Sequence, residues 1–220
     1  MPGRGGQAGE GRPPGGRAPR GRAAPPRPEP VVCRKPAKGH AFGFYERNAM
    51  TEYWDLLDQN RNPLGTLHRR GDPLPAGARH LCVEVITLCR GRMLTTRRHP
   101  QKHNGGFWEV TTGSALAGET SRAAAVRELY EETGIRAKEQ DLLLFDRLMT
   151  PRIFSDTYLL ILPELPVVTL QSTETVDYAW LTPAEMLERC RRGLVIGHLA
   201  ERFACYCSRL NEFIPEEGTP

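Results

Sequence analysis

Residues 113–135 read GSALAGETSRAAAVRELYEETGI. Alanine, leucine, arginine and glutamate dominate the run, and all are good helix formers. Thr120 or Ser121 can cap its start, and Gly134 suits the left-handed residue that ends a helix. The pattern predicts a helix from about residue 120 to residue 133. Glu128, Glu131 and Glu132 lie three and four positions apart, so a helix sets all three carboxylates on one face. Like charges at that spacing repel and weaken the helix. A hard dication reverses that cost, because Mg²⁺ prefers oxygen ligands. Arg127 pairs with Glu131 at i, i+4 and can reach back to Glu119 in the preceding loop.

Outward from the helix, the chain alternates strand-like and helical runs. Residues 52–58 and 64–69 read as a hairpin around Asn60, Asn62, Pro63 and Gly65. Residues 80–88 are rich in β-branched side chains, and 93–97 pair back across the Arg90–Gly91 turn. A strand over 107–112 leads into the glutamate stretch. Strands over 142–149 and 157–162 flank a loop at 151–156, and 178–181 is a further strand. Thr182-Pro183-Ala184-Glu185 is a capping box with proline at the first helical position, so a helix runs to about residue 192. Residues 198–213 repeat at helical spacing through Leu199, Phe203, Tyr206 and Leu210. The expected fold is α+β, an α/β/α sandwich with helices on both faces of a mixed β-sheet.

Charge divides the chain. Of 30 Lys/Arg and 26 Asp/Glu, residues 1–50 hold ten basic and three acidic side chains. The net charge of +4 therefore belongs to the tail, and the remainder is slightly acidic. Residues 1–49 are Gly-, Pro- and Arg-rich and cannot bury enough apolar surface to order themselves, so a disordered tail is expected. Fold-like sequence begins directly after Met50, which marks 1–49 as an extension or linker. Its arginines are the one feature that favours a nucleic-acid partner, and weakly. Residues 50–75 form the hairpin and a linker, and 76–213 form the domain that carries the glutamate stretch. Six cysteines without a C-x-x-C pair read as free thiols in a reducing, cytoplasmic setting. No run of 18 apolar residues is present, so no membrane span is expected.

The glutamate stretch resembles the Nudix box, G-x5-E-x7-R-E-U-x-E-E-x-G-U with U a bulky aliphatic residue. Gly113, Glu119, Arg127, Glu128, Leu129, Glu131, Glu132, Gly134 and Ile135 match it without departure. The resemblance implies a hydrolase (a pyrophosphatase) acting on a small-molecule diphosphate: a nucleoside diphosphate linked to another moiety, or a related organic diphosphate. It implies Mg²⁺, with Mn²⁺ as a substitute, held by Glu128, Glu131, Glu132 and the Thr112 backbone carbonyl. Arg127 and Glu119 would orient the site. Glu131 or Glu132 would be the general base, with Glu174 a weaker candidate for the base or a further metal ligand. The box alone leaves open a homodimer and a module that binds nucleotides without turnover.

Residues 52–193 also resemble the Nudix subset related to isopentenyl-diphosphate isomerases. There the run matched by Arg97, Arg98 and Lys102 grips the diphosphate, beside Trp108. Three cations near the box loop suit phosphate oxygens. The isomerases also need a cysteine after the tryptophan, and Glu109 to Gly113 contains none. They use a pair of histidines for metal, and His80 has no partner in the preceding loop. Asp156 falls near their second catalytic acid. The intact box and the missing cysteine favour hydrolase over isomerase.

Overall fold

The computed structural model describes Gly3 and residues 51–214. The expectations for the tail, and Cys33, lie outside the described residues.

Strands β1 (Tyr53–Leu57) and β2 (Pro63–Arg69) form a separate antiparallel hairpin. The main sheet contains β3 (His80–Cys89), β4 (Arg92–Arg98), β5 (Trp108–Glu109), β6 (Thr111–Ser114), β7 (Leu143–Met149), β8 (Ile153–Leu162) and β9 (Thr175–Leu181). Its main path runs β5-β4-β3-β8-β7, with β6 added to β3 and β9 to β4. The β3–β8 pair is parallel and the other pairs are antiparallel, so the sheet is mixed. Helices α1 (Ser121–Thr133), α2 (Pro183–Arg191) and α3 (Gly197–Asn211) complete the domain.

Central strand β3 has apolar side chains on both faces because both faces are covered. Val83 and Val85 pack with Ala124, Ala125 and Leu129 of α1. Ile86 and Leu88 pack with Leu199, Phe203, Tyr206 and Leu210 of α3 on the opposite side. Those four α3 residues are the ones its periodicity singled out. Thr120 caps α1 by accepting from the Ala123 amide at 3.1 Å, and Gly134 ends it at φ 71°. The Thr182–Glu185 capping box forms in full.

Three boundaries differ from expectation. The strand over 107–112 is two pieces, because the chain leaves β4 after Glu109 and joins β3 from Thr111. Strand β8 begins at Ile153, since parallel pairing with β3 starts at His80 and draws the polar Ser155 and Asp156 into the sheet. Strand β9 begins at Thr175 because it pairs with β4 as far as Arg98.

Candidate active site

The switch from β5 to β6 builds the site. It leaves Gly113 directly beneath α1. A Cβ at residue 113 would lie 1.9 Å from Cδ of Glu128, so only glycine lets strand and helix approach this closely. Glu128 is thereby pressed against the strand that carries Thr112.

Arg127 organises the loop before the helix. Its Nε and Nη2 donate to the two oxygens of Glu119 at 2.8 and 2.9 Å, and Nη2 also donates to the Ser114 carbonyl at 2.9 Å. Its Nη1 donates to Glu128 at 2.9 Å and to Glu131 at 3.2 Å. Glu119 in turn accepts from the Leu116 amide at 2.8 Å. Burial alone would raise the Glu119 pKa, but these bonds outweigh it and hold the carboxyl below its ordinary value.

The other carboxylates are compensated only in part. Burial pushes Glu128 up to about 7; Arg127 offsets part of this, while Glu131 and Glu52 add to it. Glu132 is buried, and one of its carboxylate oxygens has no hydrogen-bond partner among the described residues. Burial, then the charges of Glu109 and Glu128, raises it well above the usual range. Glu109 is the residue that sequence reasoning missed. It is 1 % exposed, accepts two bonds from Arg98 at 2.8 and 3.1 Å, and is pushed by burial up to about 7. The available signal was an acid inside the buried run Trp108-Glu109-Val110, where charge is rare unless paired.

The remaining candidates scatter. Glu131 is exposed and tied to Arg127. Lys102 pairs with Glu174, so those two candidates occupy each other. Arg98 is committed to Glu109, and Arg97 donates to the Gly106 carbonyl at 3.0 Å. Trp108 packs on the core with the Arg189 guanidinium 4.0 Å from its ring centre. Thr112 sits in β6 opposite Glu84. Among the described residues no three acidic, imidazole or thiol groups converge as a finished ligand set. The residues nevertheless fit a hard cation: the donors are oxygens, acids outnumber the cations paired with them, and a buried oxygen of Glu132 stands unpaired among the described residues.

A helix bearing clustered glutamates over a glycine-bearing strand, in a mixed-sheet sandwich, defines a Nudix-type hydrolase domain. The chain belongs to the Nudix family, whose NUDIX domain model matches residues 78–195. An uncharacterized Nudix hydrolase of Listeria monocytogenes is 35% identical over 147 residues, covering 61% of this chain and 82% of the relative. An isopentenyl-diphosphate delta-isomerase of Pectobacterium atrosepticum is 37% identical over 84 residues, covering 37% of this chain and 46% of the relative. The crystal structure of the DR0079 protein from Deinococcus radiodurans shares the fold, with a TM-score of 0.60 and 24% identity over 70% of this chain and 98% of that one.

Proposed function

We propose that this chain is a Mg²⁺-dependent pyrophosphohydrolase that cleaves the diphosphate linkage of a nucleoside diphosphate derivative or a related organic diphosphate. The observation that carries the reading is the buried, under-compensated group Glu109, Glu128 and Glu132, with a carboxylate oxygen unpaired among the described residues. Glu128, Glu132 and the Thr112 carbonyl would hold the cation, with Glu131 at the rim. When bound, the cation neutralises phosphate oxygens and acidifies a bound water. Arg127 keeps the Glu119 loop and the helix in one arrangement through its five contacts. Glu131 is the exposed member of the face, so it is the one open to water and placed to accept a proton. The cations Arg97, Arg98 and Lys102 lie on the segment proposed to meet the phosphates.

The isomerase reading is weaker. Asp156, near the second acid of that reading, is enclosed by Arg61, Arg147 and Ser121. His80 is stacked on Trp54 with ring centres 4.0 Å apart. Five described cysteines carry free thiols, which supports a reducing, cytoplasmic setting. No helix among the described residues is long and apolar enough to cross a membrane.

The test is Mg²⁺-dependent phosphate release across a panel of organic diphosphates, with Glu131→Gln beside the wild type. Turnover that needs the metal and falls in the variant supports the reading. Tight binding of a diphosphate without any turnover would make the chain a sensor and end it.

A further inference from the structure

Strand β4 carries a buried hydroxyl that the reaction described above does not use. Thr96 is 1 % exposed, and its Oγ1 has no hydrogen-bond partner among the described residues. A polar group buried without a partner destabilises a fold, so such a group calls for a ligand, a water or a place in the chemistry.

Three observations aim this hydroxyl at the glutamate site. Side chains alternate along a strand, so Thr96 shares a face with Leu94 and Arg98. Leu94 packs with Ala125 and Leu129 of α1, and Glu132 follows Leu129 by three residues on the same side of that helix. Across the β4–β5 ladder Thr96 stands opposite Glu109, and directly opposed residues point to one face. Arg98, two residues along, holds Glu109, and the charges of both act on Glu132. Thr96 therefore faces α1 at the level of Glu132. The two unpaired atoms are complementary, since a hydroxyl can donate and a carboxylate oxygen can accept.

We propose that Thr96 is a positioning residue for the hydrolase site: its hydroxyl donates through one bridging water to the Glu132 carboxylate and holds it in the orientation that receives the cation. The inference rests on the hydrolase reading above and adds a residue outside the box. A hydroxyl suits this task because it donates without bringing a positive charge that would compete with the cation. One water between the two side chains satisfies both unpaired atoms. Outer partners of this kind fix the geometry of a ligand carboxylate and raise metal affinity. Thr87 supplies the contrast within the same sheet. Its hydroxyl is equally buried and equally without a partner among the described residues, yet it stands on β3 opposite Leu160 of β8. What separates the two threonines is the acid across the ladder.

The experiment uses the full chain with Thr96→Val, Thr96→Ala, Thr96→Ser and Thr87→Val. Urea unfolding shows that each variant folds. Mn²⁺ alone is titrated into each by calorimetry, and kcat and KM are measured with Mg²⁺ and the diphosphate hydrolysed fastest in the panel above. Thr96→Val, of nearly the same shape, should bind Mn²⁺ about tenfold more weakly, the low end for losing an outer partner of a metal ligand. Its kcat should fall by a similar factor while KM changes little. Thr96→Ala removes the same hydroxyl without adding a methyl group and should show the same loss. Thr96→Ser keeps the hydroxyl and should recover both metal affinity and kcat, and Thr87→Val should leave both unchanged. Wild-type Mn²⁺ affinity in Thr96→Val and Thr96→Ala, a loss that serine does not rescue, or an equal loss in Thr87→Val would overturn the proposal. Failure of the hydrolase reading looks different: no diphosphate releases phosphate in the wild type, yet the order of Mn²⁺ affinities holds.

Discussion

Glu132 and Asp156 are both buried carboxylates in the α1 side of the domain, and their surroundings are opposites. Around Glu132 stand Glu109 and Glu128, and one of its oxygens is unpaired among the described residues. Around Asp156 stand Arg61, Arg147 and the Ser121 hydroxyl, the last at 2.6 Å. In the first group Arg98 and Arg127 offset only part of the negative charge, and in the second the guanidinia outnumber the carboxylate. The first is a group that holds protons or welcomes a cation, whereas the second is a brace that ties the hairpin turn to β8 and the start of α1. Removing a charge should therefore have opposite consequences in the two places.

The largest effect is expected at Glu132. Glu132→Gln should lower Mg²⁺-dependent turnover roughly a hundredfold or more, the scale of losing a metal-held contact in the transition state. The same variant should unfold, metal-free, at a temperature no lower than wild type, because a crowded carboxylate has gone. Thermal scans in a chelator check this, and a clear loss of metal-free stability would dissolve the contrast with Asp156.

At the brace the order reverses. Arg61→Ala leaves Asp156 buried without its two-pronged partner, and breaking a buried pair costs about 3 kcal/mol or more. Adding Asp156→Asn should restore part of that stability by removing the stranded charge. Urea denaturation of the single and double variants measures both. A change below about 0.5 kcal/mol in Arg61→Ala would place this pair with ordinary surface contacts.

The same contrast explains what the sequence disclosed. The box helix, its caps and the α2 capping box depend on neighbours within a few residues, and all three form as the sequence suggests. The box match also identified Gly113, although its reason, space for Glu128, is visible only in three dimensions. Asp156 looked like part of a loop because Ser155-Asp156 is polar. It is strand because its backbone pairs with β3, and Arg61, 95 residues away, neutralises its carboxylate there. Glu109 was overlooked for a related reason: its importance comes from Arg98 across β4 and Glu132 on α1, and no local spacing records either. The hairpin itself was legible, but its grip on the box loop was not.

That grip gives a smaller effect. Asp55→Ala removes the acceptor for the Gly118 amide, one residue before Glu119. Turnover should fall by up to about tenfold, in line with one lost hydrogen bond to a charged group. Hydrogen exchange at Gly118 should quicken while the core amides keep their protection. Asp55→Asn keeps an acceptor oxygen and should recover most of the activity. Unaltered exchange at Gly118 in Asp55→Ala would detach the hairpin from the loop's order.

The mildest expectation concerns pH, and it returns to the two kinds of carboxylate. Glu109 and Glu128 are raised to about 7 in the folded chain, chiefly by burial. An acid whose folded pKa exceeds its unfolded value binds more protons when folded, so stability declines as pH rises through that interval. Their contribution is thus complete below the ordinary glutamate range and lost as pH climbs through about 7. Glu119 is shifted downward and works the other way, losing its contribution only as pH falls below the usual carboxylate range. Between these limits the metal-free protein should melt at progressively lower temperature from pH 5 to about pH 7.5. Saturating Mg²⁺ should flatten the decline, because a bound dication supplies the charge that protons supply at low pH. Glu109→Gln should flatten it partly without metal. A melting temperature that instead rises across this range in chelator would mean that these carboxylates are compensated in the folded chain after all.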